Sequence, residues 1–484
     1  MSLAKHAVDE RHHRQRTAVP VRSHSTAPFP STRTGWPTFS EEESASERDA
    51  HDTRRRRLHF AVVLFLAFTM TSGGKIVDLF VAGRAASDGY STGAVNPSSL
   101  GAAVDQWAPT LFLFGVAVIV FLNLRRRRAN LIGLVGAGVY LVTAQLTNTI
   151  AVGAVNPTPK YWVILALVIA LWSIAPRWDD LRVLGVAVVL IGLASLLTGL
   201  TDQGWMREDA LLAGETKALI GTRLLAGIFP QMNVLGMTMA LGLPFVLLLR
   251  TRRARYSGLA IVVANLVLSA SRTSLIAAGI TILVAVVLRL VRHSGTRRVL
   301  AVGAVVMAAT AVVLLPMVVH DRSALTSRGA IWMSSMSVIP DHLVFGLSTN
   351  AFTKEGILPR LIGHTPWHGH NLFASTMVWG GLVLLAALVV FLVSVLVRSL
   401  TYFDRSMVSY LFVLMLLACS LAEMPLRIDD FDGVSWLTWI AVLAVLMVPG
   451  PPATSEQVWR RRRPSTAEED APLTPRSSGA GRVR

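Results

Sequence analysis

The sequence predicts an all-α, polytopic membrane protein of about twelve transmembrane helices, with a long outward-facing loop ahead of the tenth. Three observations carry this expectation. Of 484 residues, 52% are hydrophobic and only 15% are charged, more apolar side chain than a soluble core needs. The apolar side chains come in runs of roughly 17–25 residues, the length an α-helix needs to cross ~30 Å of hydrocarbon, and they lack the alternation of a transmembrane β-barrel. Arginine clusters recur after every second run, which is the pattern of cytoplasmic loops.

Residues 1–57 are polar and rich in Ser, Thr, Pro, Arg and His, with too little apolar content for a core, and read as a disordered cytoplasmic tail. No apolar segment follows the first basic residues, so the tail is not a signal peptide. Arg54-Arg55-Arg56-Arg57 closes the tail and holds the start of the first span in the cytoplasm. Spans near 58–82 and 107–123 then lead to Arg125-Arg126-Arg127-Arg128, and spans near 130–150 and 161–175 lead to Arg177 and Arg182. Spans near 183–200 and 233–249 precede Arg250, Arg252, Arg253 and Arg255; those near 257–271 and 274–291 precede Arg292, Arg297 and Arg298. The last four, near 299–319, 372–397, 407–424 and 435–449, bring in Arg398 and Arg405 and end at Arg460-Arg461-Arg462-Arg463.

An even number of spans satisfies every cluster, with both termini cytoplasmic. The transmembrane domain is then 58–449, and 450–484, rich in Pro, Ser, Arg and Glu, forms a second disordered tail. The net charge of +17 lies mostly in these short clusters, so it reads as a topology signal and a bilayer contact, with no nucleic-acid partner. The single cysteine, Cys419, lies in an apolar run, which excludes an intramolecular disulfide and a cysteine-based metal site.

The outward segments are 83–106, 151–160, 201–232, a short turn at Ser271-Arg272-Thr273, 320–371 and 425–434. Loops as long as 201–232 and 320–371 are uncommon unless they carry function or structure of their own. The second ends in Pro366-Trp367-His368-Gly369-His370-Asn371, directly before an apolar run. Because arginine collects on the cytoplasmic side, Arg223, Arg272 and Arg328 on the outward side are the informative cations. Arg272 sits between two apolar runs, where an ionisable residue is costly and marks a site, unless it snorkels to the interface as an anchor. Arg223 and Arg328 also fit solvated loop positions.

Guanidinium forks match phosphate oxygens in bidentate geometry, and a histidine titrating near neutrality suits removal of a proton from a hydroxyl. Together they describe attack of a hydroxyl on a phosphate-activated donor at the membrane surface. His364, His368 and His370 have a spacing that would also suit a metal, but no carboxylate or cysteine lies in that run, and no metal or other cofactor is expected. Gly369 lets the backbone bend so that His368 and His370 can face one cavity. Asn371, at the start of an apolar run, is also an ordinary helix N-cap.

The order of these features resembles the O-antigen ligase and polymerase superfamily, bacterial membrane enzymes that handle undecaprenyl-pyrophosphate-linked glycans. The residues that carry the resemblance are Arg223 to Asn233, Ser269 to Ser274, Ser327-Arg328-Gly329-Ala330-Ile331-Trp332, Pro340, Gly346, and His368-Gly369-His370-Asn371 ahead of Gly380-Gly381. Gln231-Met232-Asn233 stands where many members carry His-Pro-Asn, and Trp379 where an acidic residue is common. The resemblance implies inverting, metal-independent glycosyl transfer on the outer face of the cytoplasmic membrane, from an undecaprenyl-pyrophosphate-linked donor to a glycan or other surface acceptor. Arg223 and Arg272 would hold the pyrophosphate, with Arg328 on sugar or phosphate. His370 would be the base with His368 second, and Asn233, Trp332 and Asn371 would support the site. The competing class is a transporter of a small anion, but Lys75, Asp78 and Glu423 lie near the outer ends of their runs, whereas coupled transport keeps ionisable groups near the midplane.

Overall fold

The computed structural model describes residues 39–84, 95–124, 131–155, 159–207, 218–221, 223–366 and 368–449. The chain divides into two compact units, Met1–His51 and Asp52–Arg484. The described residues of the first form the opening of one helix, and the second unit holds the remaining elements. Most of both predicted tails, 1–38 and 450–484, lies outside the described residues.

Among the described residues there are fourteen α-helices and one strand pair. In order they are α1 (Phe39–Val81), α2 (Ser99–Asn123), α3 (Leu131–Val152), α4 (Pro159–Ile174), α5 (Arg182–Thr198), β1 (Trp205–Arg207), β2 (Arg223–Leu225), α6 (Met232–Val246) and α7 (Arg252–Ser269). Then follow α8 (Arg272–Leu290), α9 (Ser294–Val318), α10 (Ala324–Val338), α11 (Ile357–Ile362), α12 (Leu372–Thr401), α13 (Val408–Cys419) and α14 (Ser435–Met447). A helix overlaps each of the predicted spans, although α13 covers only Val408–Cys419 of the span at 407–424 and α7 is not among the apolar helices that could cross a membrane. Seven helices are long and apolar enough to cross a membrane, and α6, α13, α14 and the described part of α4 are shorter apolar helices. The protein is therefore a helical, multi-pass membrane protein.

Two features depart from the sequence expectation. Helix α1 begins at Phe39, well ahead of the apolar run that starts at Leu58, where composition alone predicts disorder. Its Glu-, Ser- and Arg-rich start is compatible with helix once the long span behind it supplies the nucleus. The long loop 320–371 is also not a simple polar surface segment. It holds α10, α11 and two short 3₁₀ turns, and its middle folds against α12.

That contact has a clear cause. Helix α12 is broken at Gly381, whose φ of +60° and ψ of −155° no other residue type adopts readily. The break lies nine residues past Leu372, about 14 Å along the helix. The N–H groups beyond it find partners in the loop: Leu382 donates to the Leu343 carbonyl at 2.9 Å and Val383 to that of Val344 at 3.2 Å. Leu347 N–H in turn donates to the Val378 carbonyl at 2.6 Å. Irregular backbone survives at that depth only when its polar groups are satisfied within the protein, and here the turn and the broken helix satisfy each other.

The two ends of the bundle differ in chemistry. At one end, Arg56 and Arg57 grip the fully buried Asp180 at 2.6 and 2.9 Å. There too Trp178 stacks on Tyr402 at 5.0 Å, Arg398 donates to the Val448 carbonyl, and Arg297 and Arg298 pair with Asp404. These residues belong to the arginine-bearing segments of the chain. At the other end, Arg84 fixes the start of α6 through the carbonyls of Gly227, Phe229 and Pro230 at 2.7–3.0 Å, and Lys75 pairs with Asp432 at 2.6 Å. The site lies at this second end.

Candidate active site

Asn371 anchors the start of α12. Its side-chain oxygen accepts from Ala374 N–H at 2.9 Å, the N-cap geometry. Its amide donates to the carbonyls of Val312 in α9 and Leu421 beyond α13, at 2.9 and 3.0 Å. One fully buried side chain thus ties three helices together just behind the histidines. Ahead of it, Gly369 donates to Ser375 Oγ at 3.1 Å, and its carbonyl accepts from Trp332 Nε1 at 2.9 Å. Trp332 is fully buried, so it acts as a backbone clamp on the histidine loop.

The glycine serves a purpose other than bending. A Cβ on Gly369 would lie 2.7 Å from Ser375 Oγ, so the position lacks room for a side chain. The turn is made by His370, which holds a φ of +47°. A non-glycine residue there costs about 1–3 kcal/mol, strain of a kind that gathers at functional sites.

The two rings lie 4.2 Å apart and differ in their hydrogen bonds. His368 Nδ1 accepts from His370 N–H at 3.0 Å, which fixes its lone pair on Nδ1 and its proton on Nε2. Burial, the neighbouring His370 and the cations Arg427 and Arg328 push its pKa well below 6.5, so it stays neutral. His370 Nδ1 lies 3.2 Å from Glu423 Oε2. A carboxylate there accepts a hydrogen bond from Nδ1–H, which keeps the proton on Nδ1 and leaves Nε2 as a free acceptor, the state a general base needs. His368 is therefore arranged to donate, and His370 to accept.

Glu423 stands just beyond α13 with its side chain 4% exposed, and its other oxygen accepts from Arg328. A buried carboxylate needs such partners, and it has both. Arg328 opens the right-handed part of α10, after a left-handed run at Leu325–Ser327, and also donates to Thr273 Oγ1 at 3.2 Å. Arg328 thereby links the histidines to the α7–α8 turn. Arg272, the first residue of α8, is on that turn but exposed; the expected burial is not found, because the helix projects it outward. Arg223, in β2, pairs with the exposed Asp202 at 2.5 Å, and its neighbour Leu224 packs against Ala270 of the same turn.

His368, His370 and Asn233 open onto a cavity of about 610 Å³. Arg223, Arg272 and Arg328 do not line it. Its charged wall consists of Lys75, Asp78, Asp105, Glu423, Arg427 and Asp432. The expected pocket of guanidiniums is thus two adjoining regions, an arginine-bordered turn and a carboxylate-rich cavity, with Glu423, His368 and His370 between them. The sequence had singled out Lys75, Asp78 and Glu423 only for their depth. Arg427, paired with Asp429 at 2.8 Å, was missed, although an Arg-Ile-Asp-Asp-Phe-Asp string between two apolar runs is a readable signal.

His368, His370 and Glu423 offer ligand atoms within 4.8 Å of one another, so the carboxylate missing from the local sequence arrives from the α13–α14 loop. A divalent ion fits this set poorly. Both Glu423 oxygens are engaged, one by the Arg328 cation and one by His370, and His368 Nδ1 is already an acceptor.

No curated protein matches the chain. A family model described as O-antigen ligase matches residues 257–389, a stretch that includes Arg272, Arg328, Trp332, His368, His370 and Asn371. Over those residues the chain is similar to O-antigen ligases, and the matched stretch is the part of the chain that carries the histidine loop.

Proposed function

We propose that the protein is a membrane glycosyltransferase that polymerises or ligates undecaprenyl-pyrophosphate-linked glycans on the outer face of the cytoplasmic membrane, in surface polysaccharide synthesis. The working unit is 58–449, crossing the bilayer about twelve times with both termini cytoplasmic. The arrangement of the basic clusters at the bundle end opposite the cavity supports that orientation.

The observation that carries the reading is the Arg328–Glu423–His370 chain at the edge of the cavity. His370 Nε2 takes the proton of an acceptor hydroxyl, whose oxygen attacks the anomeric carbon of the donor sugar. The bond from that carbon to the pyrophosphate oxygen breaks from the opposite side, so the configuration inverts. Undecaprenyl pyrophosphate leaves with the negative charge, which Arg272, Arg328 and Arg223 receive around the α7–α8 turn. Glu423 stabilises the imidazolium that forms, and Asn371, Asn233 and Trp332 hold the loop and the cavity wall. General-base catalysis of this kind contributes about 10²–10⁴-fold in rate. The reaction uses no metal ion and no cofactor. An anion transporter is the weaker reading, because four carboxylates and only two cations line the cavity.

The test is transfer from a native lipid-linked oligosaccharide in proteoliposomes, comparing wild type with His370→Ala and Arg272→Ala. Wild-type transfer that survives EDTA and is lost in His370→Ala is expected. Full transfer by both variants would refute the site, and uptake of a small anion without transfer would refute the enzyme.

A further inference from the structure

The cavity has a second wall that the transfer chemistry does not use. The same cavity is lined by Asp78 of α1 and Asp105 of α2, each seated against a glycine of the other helix. A side chain at Gly74 would collide with the Asp105 carboxylate, and one at Gly101 with that of Asp78. The two helices thus cross with a carboxylate in each other's notch, and Ser98 holds Asp78 in place through its N–H at 2.7 Å and its hydroxyl at 2.6 Å.

The cations on the cavity wall already face carboxylates. Lys75 is held by both oxygens of Asp432 at 2.6 and 2.8 Å, and Arg427 by Asp429. Asp78 and Asp105 therefore add negative charge beyond what the cations match. An independent feature points to a ligand. Ser435, at the start of α14, lines the same cavity, is 1% exposed, and its hydroxyl has no hydrogen-bond partner. A buried hydroxyl without a partner is costly unless something in the cavity meets it. Gln231 and Asn233 add amide groups to the same lining. Carboxylates, amides and hydroxyls around one open cavity form a set that pairs with the many hydroxyls of a sugar ring.

Resting on the glycosyl-transfer reading, we infer that this wall is the subsite for the acceptor's terminal sugar, and that it selects a sugar without negative charge. A neutral ring or one bearing a free ammonium group is accepted, and a uronic acid is rejected. Sugar hydroxyls or an ammonium donate to Asp78 and Asp105, which places the reacting hydroxyl toward His370. A sugar carboxylate would instead face two like charges and find the cavity's cations already engaged.

The test uses the full-length protein in detergent micelles with methyl glucoside, methyl glucosaminide and methyl glucuronide as probes, read by saturation-transfer NMR competition at pH 7. The glucuronide is expected to bind about tenfold or more weakly than the other two. Asp105→Asn should erase most of that difference while the protein elutes unchanged in size-exclusion chromatography, and Ser435→Ala should weaken all three probes alike. Equal binding of the glucuronide by wild type, no binding of any probe, or discrimination that persists in both Asp78→Asn and Asp105→Asn would overturn the inference. Transfer activity separates the two ideas. Transfer without discrimination leaves the enzyme and removes the subsite, whereas discrimination without transfer does the reverse.

Discussion

The Glu423 carboxylate lies 3.2 Å from Nδ1 of His370, although they stand 53 positions apart in the chain with both α12 and α13 between them. This pairing sets the His370 proton on Nδ1 and leaves Nε2 as the acceptor. Glu423→Gln is expected to lower kcat for transfer by about 10²–10⁴-fold with little change in KM, because an amide can donate to Nδ1 and stabilise the wrong tautomer. Glu423→Ala should also destabilise the protein by about 3–5 kcal/mol, since it strands the Arg328 charge, which is only 16% exposed. Transfer rates and thermal unfolding of both variants in micelles check this, and an unchanged kcat in Glu423→Gln would remove the dyad.

Burial first, then His370, Arg427 and Arg328, hold His368 well below its ordinary 6.5. In the unfolded chain this histidine binds a proton as pH falls through 6.5, whereas in the folded protein it does not. Its contribution to stability is therefore fully present above pH 6.5 and is lost as pH falls toward the depressed folded value. The melting temperature should drop below pH 6.5, and His368→Gln should flatten that part of the profile. An identical slope in the variant would assign the acid sensitivity elsewhere.

Gly381 should tolerate no side chain. Alanine there meets its strained φ and ψ, at about 1–3 kcal/mol, and its Cβ would lie 2.5 Å from the Leu343 carbonyl oxygen. Gly279, inside α8 with nothing within 4 Å of an added Cβ, is the control, and Gly279→Ala should gain roughly 0.5–1 kcal/mol. Equal melting temperatures for the two variants would contradict the broken helix.

Arg223 and Arg328 should separate in their effects. The Arg223–Asp202 pair has side chains 45% and 88% exposed, so Arg223→Ala should leave stability within about 0.5 kcal/mol and raise KM for the lipid-linked donor. Arg328→Ala should lower both kcat and the melting temperature, because it also frees Glu423. A donor KM unchanged in Arg223→Ala would take that residue out of pyrophosphate binding.

Much of this arrangement was legible in the chain. The apolar runs announced a helical, multi-pass membrane protein, since length and hydropathy act independently of tertiary packing. Asn371 could be read as a cap, and the two histidines as one site. The Glu423 partnership could not be read, because it depends on how α13 ends beside α10. The exposure of Arg272 was hidden for a similar reason, since sequence gives depth along a helix but not the direction in which its first residue points. Leu343-Val344-Phe345 looked like part of a loop because the N–H groups that need its carbonyls belong to residues almost forty positions later.

That last relationship governs the order of assembly. The turn at 343–347 leaves the ribosome before α12, so at that stage its Leu343 and Val344 carbonyls have no N–H groups to receive. A segment with such groups unmet cannot remain within the hydrocarbon. The turn can therefore take up its place beside Gly381 only once α12 is present to supply the N–H groups of Leu382 and Val383.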